Sequence, residues 1–228
     1  MLQELVQKSP IRTFEKSING PLESGELGVI AAPSGIGKTA VLVQIALDKL
    51  MQDKKIIHIS FSKHTDRVLV WYKDLLATFF KKRNITNEDD LEKNRVLLKF
   101  NQEALAIDQV LKSIRALMKD GGFSADSIIV DGLDFSAVKP EHMAAFKAFA
   151  VEMGVSIWYS CTFKGEAPFC DKNNIPLLLK GSASSFEVIV VLEPKVGHID
   201  LTVSRQRGGC KAGSSALKLD PKTLILEN

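Results

Sequence analysis

Short, nearly continuous apolar runs alternate with longer mixed segments along most of the chain. Glu26 to Pro33 (ELGVIAAP) predicts a strand entering a glycine-rich loop, and Thr39 to Met51 predicts a helix from its length and its Ala, Leu and Gln content. Lys55 to Phe61 (KIIHISF) predicts a strand, and about Arg67 to Lys82 a helix with one broad apolar side. Residues 84–94 are polar and predict a loop or a short solvated helix; Arg95 to Phe100 predicts a strand. Ile107 to Lys119 has helical apolar spacing and is stopped by Gly121 and Gly122. Ser127 to Val130 (strand), His142 to Glu152 (helix, ending near Gly154) and Val155 to Tyr159 (strand) complete this part.

Strands that are apolar throughout, each followed by a helix, imply a mostly parallel sheet covered by helices on both faces. The last third differs. Phe186 to Leu192, His198 to Ser204 and Ser215 to Leu219 are strand-like, separated by turns at Pro194 to Gly197 and Gly208 to Gly213, with no helix between them. Antiparallel strands at one edge of the sheet follow. No repeat or linker divides residues 1–228, which predicts a single α/β domain.

Composition narrows the function classes. The 228 residues are 45% hydrophobic and 25% charged, which excludes disorder and allows a large core. A net charge of +3 gives no support to nucleic-acid binding. The 3 cysteines (Cys161, Cys170, Cys210) form no CxxC pair, and no apolar leader or membrane-length run is present, so a cytoplasmic protein is expected. The 4 histidines are too widely spaced for a zinc site.

The chemistry centres on Ala32-Pro33-Ser34-Gly35-Ile36-Gly37-Lys38-Thr39. This is GxxxxGK[ST] with alanine for the first glycine, between a strand and a helix. Gly35 and Gly37 allow backbone N–H groups to converge on phosphate oxygens, and the helix start adds free donors. Lys38 is expected to reach the β- and γ-phosphates and Thr39 to coordinate Mg²⁺. Asp131, ending a buried strand, is expected to orient the water shell of that Mg²⁺; a turn-forming role is the alternative. Asp134 reads as a capping or surface residue. Trp71, Tyr72, Phe79 and Phe80 read as core or subunit interface, with base stacking the lesser alternative.

Taken in order, IAAPSGIGKT (Ile30 to Thr39), HISFSKHTDRV (His58 to Val68), LKSIRALMKDGGFSADSIIVDGLDF (Leu111 to Phe135) and LTVSRQRGG (Leu201 to Gly209) resemble a RecA-like P-loop ATPase. The style is that of KaiC-like ATPases and the ATPase domain of DnaB-type replicative helicases. The resemblance spans about residues 20–220. It implies ATP and Mg²⁺ as ligands and a homo-oligomer, ring or filament, with nucleotide between subunits. It implies a trans-acting pair at Arg205 and Arg207, for which a solvated basic pair is the alternative, and a polar sensor among Ser160, Cys161 and Thr162, with Thr162 the best placed, for which simple termination of the strand is an equal alternative. Where such ATPases carry a water-polarising glutamate, this chain has Ser62 and Lys63. The expected function is therefore a weak ATPase or nucleotide-dependent switch. An active DNA-dependent ATPase and a degenerate interaction domain are the alternatives.

Overall fold

In the computed structural model, which describes residues 6–7, 9–61, 66–81, 88–101, 107–207, 209 and 213–227, the apolar runs form the inner strands of one sheet. The strands are β1 (Leu27–Ala32), β2 (Ile56–Ser60), β3 (Arg95–Lys99), β4 (Ser127–Asp131), β5 (Ser156–Thr162), β6 (Val188–Lys195), β7 (His198–Arg205), β8 (Gly213–Leu219) and β9 (Leu226–Glu227). The 9-stranded sheet has the order β3-β2-β4-β5-β1-β6-β7-β8-β9. From β3 to β6 all neighbours are parallel; β7, β8 and β9 add antiparallel pairs at one edge. The expected mixed sheet, parallel at its centre and antiparallel at one edge, is present.

The helices are α1 (Pro10–Ser17), α2 (Lys38–Leu50), α3 (Asp66–Lys81), α4 (Glu88–Lys93), α5 (Ile107–Lys119) and α6 (Pro140–Met153). They cover both faces, so the inner strands are buried on both sides and need no polar alternation. On one face α1, α2 and α3 pack over Ile30, Ile56, Ile129 and Trp158. On the other, α5 and α6 pack over Val29, Ile57, Ile128 and Tyr159. Gly28 lets Trp158 lie flat on β1: a Cβ there would stand 2.6 Å from the indole ring.

Some boundaries differ from expectation for identifiable reasons. Strand β5 runs on to Thr162, so Ser160, Cys161 and Thr162 belong to it and do not follow it. Strand β6 continues through Pro194, beyond its last pairing with β1 at Val191. There the missing N–H of proline costs the β1 ladder nothing. Helix α1 was not expected from the periodicity. It is capped by Ser9, whose hydroxyl accepts from Ile11 N, and it buries Ile11 and Phe14. Among the described residues, no helix is long and apolar enough to cross a membrane.

The C-terminal end is tied to α2 by one buried side chain. Gln44 donates to Leu224 O and accepts from Leu226 N, both at 2.9 Å. This fixes Leu224 beside Gly37, at the mouth of the loop that follows β1.

Candidate functional site

Parallel strands deliver their C-terminal ends to the same edge of a sheet, and ligands of open α/β sheets bind there. Here that edge carries a pocket of about 360 Å³. Its floor is the loop between β1 and α2 with Asp131 of β4 and Ser160 and Thr162 of β5. Strand β5 lies between β1 and β4, so its polar residues sit between the loop and the acid.

The loop owes its shape to two glycines. Gly35 (φ 81) and Gly37 (φ 94) occupy the left-handed region, where a side chain would be strained. Gly37 caps α2 without any side-chain hydrogen bond, so the helix's first N–H groups remain available to an anion. Lys38 is 7% exposed and turns its ammonium back onto the loop, donating to Ala32 O (3.1 Å) and Pro33 O (2.7 Å). Burial pulls its pKa down to about 8, partly offset by the Asp131 carboxylate.

Thr39 donates its hydroxyl proton to Asp131 Oδ2 at 2.9 Å. Ser160 donates to Asp131 Oδ1 at 2.6 Å and accepts from Gly132 N at 2.8 Å. Asp131 is thus held on both oxygens, and the lone pairs of Thr39 Oγ1 are left to the pocket. Oxygen donors of this kind suit a hard divalent cation. Among the described residues no cluster of three or more His, Cys, Asp or Glu could hold a metal by itself. A cation at Thr39 and Asp131 would need water and an anionic ligand to complete its shell, which is how Mg²⁺ enters phosphate sites.

Helix α3 adds Arg67, Val68 and Trp71 to the pocket lining. The helix is anchored from beneath. Tyr72 and His58 Nδ1 form a buried hydrogen bond at 3.0 Å, and the Arg95 guanidinium lies 4.1 Å from the Tyr72 ring centre. Burial lowers the His58 pKa to about 4, so the ring is neutral, and its Nε2 has no partner. Tyr72→Phe leaves the imidazole without its remaining hydrogen bond. A loss of about 1–3 kcal/mol in chemical denaturation is expected; a loss below about 0.5 kcal/mol would mean that the phenol does not anchor α3.

The residues expected from sequence fall into two groups. Lys38, Thr39, Asp131 and Thr162 meet in the pocket, with Ser34, Gly35 and Gly37 around them, and Ala32, Pro33 and Ile36 complete the loop. Arg205 and Arg207 do not join them. Arg205 pairs with Ile189, level with Val29 of β1, and Arg207 lies beyond it, near the start of that strand. Strand length alone puts Arg207 about 20 Å from the loop. Nor is Arg207 a free cation: it donates to Glu26 Oε1 (2.7 Å) and Asn19 O (3.0 Å), and also pairs with Glu26 Oε2. Arg205 is half-buried and has no ion pair among the described residues.

Asp134 caps its own turn, accepting from Ser136 N, and pairs with Lys164, so it does not reach the pocket. Trp71 lines the pocket, whereas Tyr72 is core. Phe79 and Phe80 are in α3, but their side chains lie outside what is described. Ser62, Lys63 and His64 lie outside the described residues. Cys161, between Ser160 and Thr162, faces the other core, where burial pushes its thiol up to about 12.

Two site residues were under-read from sequence. Ser160 is the residue that bonds to Asp131, whereas the sequence made Thr162 the best-placed polar sensor; its register opposite Asp131, one step past Val130–Tyr159, is the signal. Arg67 was read as a helix start, and no local pattern marks it. No protein-family model matches the chain, and no curated protein matches it at a significant level.

Proposed function

We propose that the chain is a Mg-ATP-binding module of RecA- and KaiC-like type, acting as a weak ATPase or a nucleotide-dependent switch. The observation that carries this reading is the gathering of Lys38, Thr39 and Asp131 around one pocket at the C-terminal ends of β1 and β4, beside a glycine turn and an uncapped helix start. An ammonium and free N–H groups suit phosphate oxygens; a hydroxyl and carboxylate beside them suit the Mg²⁺ that accompanies polyphosphates. Val68, Trp71 and Leu224 supply an apolar wall for the rest of a nucleotide. When bound, Mg²⁺ would neutralise phosphate charge. Around it Lys38 binds oxygen, Thr39 offers lone pairs and Ser160 holds Asp131 in orientation.

Weak turnover follows from the sequence. Ser62 and Lys63 stand where the resembling ATPases carry a water-activating glutamate, and neither is an effective base there; loss of such a group costs about 10²–10⁴-fold in rate. The position of Arg205 favours a head-to-tail assembly over action within one chain. It lies level with Val29 of β1, short of its own loop, which leaves it to the ligand of a neighbouring copy. Arg207 would first have to leave Glu26.

The test is calorimetric binding of ATP with and without Mg²⁺, together with a turnover assay. Mg²⁺-enhanced binding with turnover far below that of the Lys63→Glu variant is expected. Asp131→Asn is expected to remove most of the Mg²⁺ enhancement. A wild-type chain that binds no ATP at millimolar concentration would overturn the reading.

A further inference from the structure

Among the described residues, four other than glycine have a positive φ: Asn19, Asp53, Asn174 and Leu224. Asn and Asp tolerate the left-handed region because their short polar side chains bond locally. Leucine does not, and at φ 53 Leu224 carries backbone strain that asparagine or glycine would avoid. The turn that imposes this conformation does not require a leucine. The Asp220 carboxylate accepts from Lys222 N and Thr223 N, and the Asp220 carbonyl accepts from Leu224 N at 2.8 Å. Gln44, 2% exposed, donates to Leu224 O. Both of these bonds at position 224 are made by the main chain, so any residue that accepts the φ would make them.

What the turn delivers is the side chain. Its two methyls lie 3.2 and 3.7 Å from the point that a Cβ on Gly37 would occupy, and Leu224 borders the pocket together with Gly37 and Ala40. The bond to Gln44, one turn beyond Ala40, keeps half-buried Leu224 on the flank of α2 where that helix begins. A phosphate chain held by Lys38 and the first N–H groups of α2 offers nothing to an aliphatic group. The neutral part of the same ligand does, because covering it removes apolar surface from water on both sides.

We propose that Leu224 contacts the nucleoside beside the phosphates, so that the pocket distinguishes a nucleotide from bare polyphosphate. This rests on the nucleotide-binding reading of the pocket. Leu224 is a specificity determinant for that ligand, kept against its backbone preference, with Gln44 holding its carbonyl in place.

The experiment is calorimetry with Mg-ATP, Mg-ADP and magnesium tripolyphosphate on wild type, Leu224→Asn and Leu224→Met. Leu224→Asn suits the turn and removes the apolar contact. Mg-ATP and Mg-ADP are each expected to weaken about tenfold, the size of burying about half a leucine side chain, and tripolyphosphate less than twofold. Leu224→Met is expected to recover most of the nucleotide affinity. Retained tripolyphosphate binding shows that the loop of the variant is formed. Equal weakening of all three ligands would make Leu224 a prop for Gly37 and overturn the proposal, as would unchanged binding of all three. A wild type that binds tripolyphosphate as tightly as Mg-ATP would also overturn it, leaving the phosphate loop intact. Failure of the wild type to bind any of the three would instead remove the reading on which the proposal stands.

Discussion

Lys38→Met is expected to abolish triphosphate binding and at the same time to make the ligand-free chain more stable. The two effects share one cause. The ammonium is buried, at 7% exposure, and its hydrogen-bond partners are two neutral carbonyls of the loop. Desolvation outweighs the attraction of Asp131 and holds the pKa near 8. Below pH 8 the folded and unfolded chains both carry the proton, and the folded chain bears the full cost of the buried charge. Between about pH 8 and the ordinary lysine value the unfolded chain binds more protons, so the lysine's contribution makes stability rise with pH. That cost is on the order of 2–3 kcal/mol, reduced by the two carbonyls that methionine leaves to water.

Chemical denaturation at pH 7 and pH 9.5 reads both predictions. Wild type gains stability over that interval relative to Lys38→Met, which starts higher at pH 7. Calorimetry with Mg-ATP reads the other side: the anion loses its principal cation, and affinity falls at least about a hundredfold. In the wild type the same affinity holds up to about pH 8 and declines above it, as the free site gives up its proton. A variant less stable than wild type at pH 7, with no difference in pH slope, would make Lys38 a structural tie of the loop.

How far the sequence reaches depends on whether the cause of a feature is local. The inner strands were legible because burial on both faces writes itself as uninterrupted apolar runs, as in Ile128 to Val130. Gly35, Gly37, Lys38 and Thr39 were legible because a tight turn and a helix start need those residue types in that order. Ser160 was only half legible: its role comes from its register beside Asp131 on another strand, and three hydroxyl or thiol residues in a row look alike until the sheet assigns their faces. Arg207 reads as half of a trans-acting pair, or else as a solvated basic residue before a glycine turn, yet Glu26, far away in sequence, claims it. Helix α1 had a readable start in Ser9 and Pro10, and Ile11, Phe14 and Ile18 at helical spacing, but its eight residues are short for a periodicity signal. Leu224 reaches the pocket through Gln44, a contact that no local pattern encodes.

The same distinction makes Arg12→Ala the most damaging substitution away from the pocket. Arg12 of α1 pairs with Asp48 of α2, which is fully buried, and with Glu15 at 2.8 Å. Gln52 also donates to Asp48 Oδ2 at 2.7 Å, but Asp48 Oδ1 and Arg12 Nε have no partners. Burial raises the Asp48 pKa even with Arg12 beside it. The folded state therefore holds this proton more tightly than the unfolded one, and the contribution of Asp48 to stability is lost as pH rises through its folded value.

Removing the arginine takes the main counter-charge from a buried carboxylate, leaving it Gln52 and the field of Lys49, with an expected cost of about 3 kcal/mol at pH 7 and detachment of α1 from α2. The deficit is expected to shrink toward pH 4, where Asp48 can take up its proton. Arg12→Met combined with Asp48→Leu is expected to return to within about 1 kcal/mol of wild type, because an apolar pair carries no desolvation penalty. Denaturation midpoints of the three chains at pH 7 and pH 4 decide it. A single variant within about 1 kcal/mol of wild type, or a double variant as poor as the single, would show that α1 is held by its apolar face, Ile11 and Phe14, and that the ion pair is incidental.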